Sequence, residues 1–250
     1  MVISDILKYI DEIAPFKYGE SFDNNGLIVG DTNRQVSRIL VVLDLTFNAI
    51  QKAIDENVDV IISHHPHIFE PIKVVTDPII IKLIKNDIAY IAIHTNYDNG
   101  RLNEQFAKKL QLNDITKIHK GDNGGYFGGI GVLGKEIDTK DYINKLKVAF
   151  NIQYVKIVGK QKNTLKTIAY GNGSTSSFIE EVISLNCDVY ITGEIKYHDE
   201  VKYVNNNCFV IVLGHFESEK LFIDDVSDMM INKFKNIKVV TYTQKIAKII

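Results

Sequence analysis

The chain of 250 residues holds seven histidines, and they are unevenly placed. Two are adjacent in Ser63-His64-His65-Pro66, one opens His94-Thr95-Asn96-Tyr97-Asp98, one closes Gly193-Glu194-Ile195-Lys196-Tyr197-His198, and one leads His215-Phe216-Glu217-Ser218-Glu219. Of the seven, His119 alone lies outside these loops and the segment running to His67. A lone His pair reads equally well as part of an ordinary βα loop. Imidazoles and carboxylates gathered at four strand ends are harder to attribute to core packing. Imidazole nitrogen with carboxylate oxygen and no thiolate suits Zn, Mn, Fe, Co or Ni, not a Cys-type structural zinc or an all-oxygen calcium site. His215 and Glu219 are four apart, so at the start of a helix they share one face. Five strong candidates exceed what a three-ligand catalytic zinc requires. Two ions about 3.5–4 Å apart, bridged by a carboxylate and a water, would use them all.

The elements that must position these groups are strands. Val58-Asp59-Val60-Ile61-Ile62 is rich in β-branched residues and reads as a buried strand. Pro66 biases His65 towards extended or turn backbone as the chain leaves the sheet. Ile39 to Asp44 reads as a strand, Thr46 to Asn57 and Asp77 to Asn86 as helices, and Ile88 to Ile93 as another strand. This β-α-β-α-β rhythm predicts a parallel sheet with right-handed crossovers and all its β-to-α loops at one edge, where ligands bind. His64, His65, His94 and Asp98 can therefore converge.

The chain opens on a helix with Ile3, Ile6, Leu7, Ile10 and Ile13 at helical spacing, capped by Ser4 and stopping near Pro15. Phe22-Asp23-Asn24-Asn25-Gly26 reads as a turn. Beyond residue 120 the same rhythm returns: a helix near Lys140 to Phe150, strands at Tyr154–Val158, Lys166–Tyr170, Asp188–Thr192 and Cys208–Leu213, a long helix, and a last strand over Ile237–Tyr242. The expected architecture is α/β, with two interlocked lobes (1–122 and 123–250), largely parallel sheets flanked by helices, and the metal site at strand C-terminal ends between the lobes. The C-terminal segment could pack back on the first lobe. The glycine-rich stretch from Gly121 to Gly134 fits a lobe junction with a bulged strand better than a phosphate cradle, because it lacks the strand-to-helix context of a dinucleotide fingerprint. Gly171-Asn172-Gly173-Ser174 precedes a predicted helix. It reads equally as a tight βα turn and as an anion-holding helix N-terminus, which would make Asn172, Gly173 and Ser174 substrate-binding residues.

Composition sets bounds on function. A hydrophobic fraction of 45%, a charged fraction of 24% and a formal charge of -2 are those of an ordinary globular protein and argue against non-specific nucleic-acid binding. Cys187 and Cys208 form no CxxC pair and read as reduced core residues. No signal-peptide design and no apolar run near 18 residues is found, so the expectation is a soluble, cytoplasmic protein without membrane contact.

The SHHP and HTNYD segments, the DNNGL turn, the GNGSTSSF and TGE turns and GHFESE, in this order along nearly the whole chain, resemble the Nif-three family of dinuclear-metal proteins, homologues of GTP cyclohydrolase 1 type 2. The resemblance implies that His64 and His65 each meet one of two divalent ions, that Asp98 and His215 add one ligand apiece, and that Glu219 bridges and fixes the ion spacing. His94 becomes a nearby or auxiliary ligand, and it could also shuttle a proton, with His198 the weaker choice for that shuttle. A homohexameric ring with inward-facing metal sites is likewise implied. Two departures stand out. Phe22 occupies a place where many members carry Trp, and the chain has no room for the domain that some members insert. The expected activity is metal-dependent hydrolysis of GTP or another phosphorylated small molecule. The rivals are a non-catalytic metal-binding scaffold or regulator that binds a protein partner, and a metal-free nucleotide-binding module.

Overall fold

The computed structural model describes residues 1–175 and 178–247. By internal contacts the chain forms two units, residues 1–97 with 222–250 and residues 98–221. The division falls between Tyr97 and Asp98, well before the boundary near residue 122 that the glycine-rich stretch suggested, because that stretch lies inside the second unit.

The first unit opens with a helix over Ile3–Ile13, with Ile3, Ile6 and Ile10 buried. Ser4 is inside this helix and does not cap it. The cap position is Val2, whose N–H donates to Asp5 Oδ2 at 2.9 Å. Four strands follow: β1 (Gly26–Val29), β2 (Arg38–Val42), β3 (Val60–Ser63) and β4 (Ala89–Ala92). The C-terminal strand Lys238–Thr241 adds to β2, giving the order β1-β4-β3-β2 and then that strand, all parallel except β1. Val60, Ile61, Ile62 and Tyr90 are fully buried, so β-branched and aromatic residues cover both faces. Each such side chain contributes about 1.5–3 kcal/mol of burial. Helices Phe47–Asp55 and Pro78–Lys85 form the crossovers, capped by Thr46 and by Asp77 respectively.

The register decides where the chemistry sits. Val42 pairs with Ser63 and Ser63 with Ala92, so three parallel strands end at one level. The residues two positions beyond those levels are Asp44, His65 and His94.

The second unit carries β5 (Leu112–Lys117), β6 (Gly129–Asp138), β7 (Lys156–Val158), β8 (Thr164–Ser174), β9 (Val189–Glu194) and β10 (Val210–Val212). Their order is β5-β6-β8-β9-β10-β7. Only the β8–β9 and β9–β10 pairs are parallel, so this sheet is mixed. Gly129 to Gly134 form the first half of β6, whose pairing with β8 shifts register between Val132 and Ile137. The Gly171–Ser174 segment is not a turn before a helix. It continues β8, with Ser174 opposite Glu194 on β9, and the next helix begins at Ile179. The long helix Leu221–Lys233 follows the short helix His215–Glu219. No helix among the described residues is long and apolar enough to cross a membrane.

Asp59 pins the start of β3 to that of β2. Its Oδ2 accepts from Ser37 N at 2.7 Å, Ser37 Oγ at 2.9 Å and Arg38 N at 2.9 Å. Burial opposes its ionisation, yet those donors and the nearby Arg34 guanidinium hold the carboxyl below the usual carboxylate range. A depressed folded value means stabilisation that is complete above the unfolded value and lost as pH falls through the folded one. Urea titrations should therefore find Asp59→Asn less stable than the parent by about 1–3 kcal/mol at pH 7, with the gap closing as pH falls below about 4.

Candidate metal centre

In the first unit, three imidazoles gather at the end of the parallel strands. His64 and His65 leave β3 and His94 follows β4, with ring centroids 4.9 Å apart for His64 and His65, 5.2 Å for His64 and His94, and 5.4 Å for His65 and His94. Each offers a ligand atom within 4.8 Å of the others. The backbone holds the turn: His64 N and His65 N both donate to Leu43 O, at 3.2 and 3.1 Å, and Ile93 N donates to Ser63 O at 3.0 Å. His64 is fully buried, its ring against Phe222 at 5.0 Å between centroids.

The Tyr90 hydroxyl braces the turn from beneath. It accepts the N–H of His67 at 2.9 Å, donates to His65 O at 3.0 Å and lies 2.8 Å from Ser63 Oγ, which also reaches His65 O at 2.7 Å. Burial pushes the Tyr90 phenol up to about 12, so it stays protonated.

Every imidazole here is tied through Nδ1. His64 Nδ1 meets Ile93 O at 3.0 Å, His65 Nδ1 meets Asp44 Oδ1 at 2.7 Å, and His94 Nδ1 meets Asp23 Oδ1 at 2.9 Å. Where Nδ1–H is donated to such an oxygen, the tautomer is the one that offers Nε2 as a ligand atom. Asp23 also accepts Thr95 N at 3.0 Å and a short bond from the Thr95 hydroxyl. Its burial works against ionisation, but the His94 and Thr95 donors outweigh it and keep the carboxyl below its ordinary value.

In the second unit the donors are two carboxylates and one imidazole. Asp98 opens a single π-helical turn, Asp98–Leu102, a distortion often met at functional sites. It is buried, and its Oδ1 accepts from Asn172 Nδ2 at 2.7 Å. His215 and Glu219 share one face of their helix, with Nε2 and Oε2 3.0 Å apart, and His215 Nδ1 meets Glu194 Oε2 at 3.0 Å. Asp98 and Glu219 place carboxylate oxygens within 4.8 Å of each other while only 8% and 4% exposed. Two buried like charges this close are costly unless a cation is shared between them. The donor set thus fits a divalent ion of the imidazole- and carboxylate-preferring kind.

The GNGS residues serve these groups. Asn172 orients Asp98. Gly173, at φ +60°, leaves room for Glu219, since a Cβ there would fall 1.9 Å from Glu219 Oε1. Its N–H donates to Ser218 Oγ at 3.0 Å. Ser174 is exposed on β8, and His198, exposed on the helix Tyr197–Asn205, belongs to no metal-type cluster among the described residues. Asp44 and Asp23 as imidazole partners were missed by sequence reasoning. The signal that could have found Asp44 is its level in the register, two residues past the end of β2.

The sequence pattern of the Duf34/NIF3 (NGG1p interacting factor 3) family matches residues 1–247. A Clostridium perfringens protein named GTP cyclohydrolase 1 type 2 homolog is 34% identical over 237 residues, covering 91% of this chain and 90% of its own. A Helicobacter pylori protein named GTP cyclohydrolase 1 type 2 is 31% identical over 251 residues, covering 94% and 97%. The crystal structure of a hypothetical protein from Staphylococcus aureus superposes with a TM-score of 0.89 at 27% identity, covering 100% of this chain and 99% of that one.

The brace beneath the histidine turn is open to test. In Tyr90→Phe the part-buried His67 N–H loses its acceptor, and the urea midpoint should fall by the equivalent of about 1–3 kcal/mol with an unchanged far-ultraviolet circular dichroism spectrum. An unchanged midpoint would show that the hydroxyl is dispensable.

Proposed function

Because the chain belongs to the Duf34/NIF3 family, we propose that it is a metal-dependent hydrolase holding two divalent ions through His64, His65, Asp98, His215 and Glu219. In this reading His64 and His65 serve one ion each, Asp98 and His215 add a ligand apiece, and Glu219 bridges. The observation that carries the reading is that His64, His65 and His215 each meet an oxygen through Nδ1, the arrangement in which a histidine offers Nε2 to a metal. The two buried carboxylates of the second unit supply the negative charge that a divalent pair requires.

A bound ion pair supplies Lewis acidity, bringing a coordinated water towards ionisation near neutral pH and polarising the bond to be cleaved. The chain's own part is to hold the ligands. Asp44 and Glu194 orient His65 and His215, Asn172 orients Asp98, and Gly173 admits Glu219. The names carried by the relatives make GTP the first substrate to test, with other phosphorylated small molecules next. The implied assembly is a homohexamer, for which light scattering should return a mass of about 170 kDa from chains of 28.3 kDa.

Elemental analysis of untagged protein should give two ions per chain, falling sharply in Asp98→Ala. Asp44→Ala should keep the fold and weaken metal retention against a chelator by about 10–100-fold. Turnover of GTP that stops on chelation and returns with Zn, Mn, Fe, Co or Ni would support the hydrolase. Metal bound at full stoichiometry without turnover of any phosphorylated substrate would turn the reading to a metal-stabilised scaffold. Failure to bind any metal would end both.

A further inference from the structure

The register that aligns the imidazoles also brings a residue of the C-terminal tail to their level. The strand Lys238–Thr241 pairs with β2 so that Thr241 lies opposite Val41, and Tyr242 N keeps to that path by donating to Val41 O at 3.1 Å. Continued at the same offset, the pairing sets Gln244 beside Asp44. Gln244 Oε1 accepts from the Thr46 hydroxyl at 2.9 Å, the same group that caps the helix Phe47–Asp55 by accepting from Ala49 N at 3.1 Å. The Tyr242 hydroxyl lies 3.5 Å from that Oε1. The two N–H donors of Nε2 meet no acceptor among the described residues. Asp44 has the complementary need. Its Oδ1 meets His65 Nδ1 at 2.7 Å, while Oδ2 has no donor among the described residues. Leu43, Asp44, Thr46, Tyr242 and Gln244 together line a cavity of about 10 Å³. That is about the least volume that admits one water.

We propose that Gln244 is a positioning residue of the metal centre, acting through one water in this cavity that accepts from Gln244 Nε2 and donates to Asp44 Oδ2. The proposal rests on the metal-binding reading above. Asp44 and Gln244 supply the two polar partners that such a water requires at the least, and Thr46 and Tyr242, which carry hydroxyls, complete the lining. A bridging water is nearly as favourable in enthalpy as a direct hydrogen bond. A carboxylate held at one oxygen can still turn about its Cβ–Cγ bond and let the imidazole tilt. Held at both, it keeps His65 Nε2 aimed. The rival role for Gln244 is support of the helix cap through Thr46. The two roles use different atoms, Oε1 for the cap and Nε2 for the water, and only the second runs through Asp44. The C-terminal tail thus gains a task beyond covering the edge of β2.

The test uses full-length protein stripped of metal and titrated with Co(II) alone, followed by visible absorption and by competition with a chelator. Gln244→Met keeps the bulk of the side chain and removes the amide. It should lower Co(II) affinity by about 3–10-fold, less than the loss of a group that touches a ligand directly. In an Asp44→Ala background the same substitution should change affinity by no more than about twofold, because the coupling is carried by Asp44. A loss transmitted through the Thr46 cap would persist in that background. A high-resolution crystal structure of the metal-loaded parent should show one water within hydrogen-bond distance of both Gln244 Nε2 and Asp44 Oδ2. Parent-like affinity in Gln244→Met, an equal loss with Asp44 already removed, or no water between the two groups would each overturn the proposal. No Co(II) binding by the parent would instead overturn the metal reading on which it rests, so the two failures are distinguishable.

Discussion

The in-register ending of β2, β3 and β4 is the constraint on which the first unit's chemistry depends. Because Val42, Ser63 and Ala92 sit at one level, the residues beyond them arrive together at the sheet edge. Parallel pairing accomplishes this through evenly spaced backbone bonds, without help from the side chains that do the chemistry. A slip of one residue between β3 and β4 would move His94 off the level of His65 and send every side chain of the slipped strand to the opposite face of the sheet. The apolar core and the imidazole cluster are thus fixed by the same register, and packing energy holds the donors in place.

The second unit reaches a comparable result by different means. Its carboxylates come from a π-turn and a short helix, elements with little intrinsic rigidity, and precision comes from close approach. Gly173 at φ +60° leaves the space that Glu219 fills, and Gly193 leaves space for Ser218 Oγ, which a Cβ would meet at 2.4 Å. Ser218 in turn accepts from Gly173 N and donates to His215 O at 2.8 Å. Glycine in a strand costs conformational entropy and packing. Here that cost is tied to the room it opens beside buried acids.

This explains which parts of the fold were legible in sequence. The run from Val58 to Ile62 announces a buried strand because β-branched residues fit a pleated interior, and the alternation with helices announces the parallel sheet. Convergence of His64, His65 and His94 followed from topology alone. Gly171 to Ser174 was misread as a turn because glycine, asparagine and serine carry turn propensity, whereas within β8 Asn172 meets Asp98 and Gly173 admits Glu219. Ser4 looked like a cap by residue type, whereas Asp5 reaches back to Val2. The division of the chain left no compositional trace, since it falls in helical backbone at Tyr97 and Asp98. Asp44 was hidden for another reason: a hydrogen-bond partner 21 residues away in sequence is a neighbour only once strands are in register.

The tethers also show that the imidazoles are not equivalent donors. Nδ1 of His65, His94 and His215 meets a carboxylate, whose charge would raise the electron density at Nε2, whereas Nδ1 of His64 meets the neutral carbonyl of Ile93. His64 is also fully buried, while His65 and His215 side chains are 23% and 35% exposed. In the first unit, a drier ring on a neutral acceptor next to a wetter ring on an acid makes an asymmetric environment from residues adjacent in sequence. The difference arises one hydrogen bond away from the Nε2 atoms, in whether the oxygen meeting Nδ1 belongs to the backbone or to an acid. Sequence motifs record the imidazoles. In the first unit the strand register selects the oxygens, and through them the character of each ring.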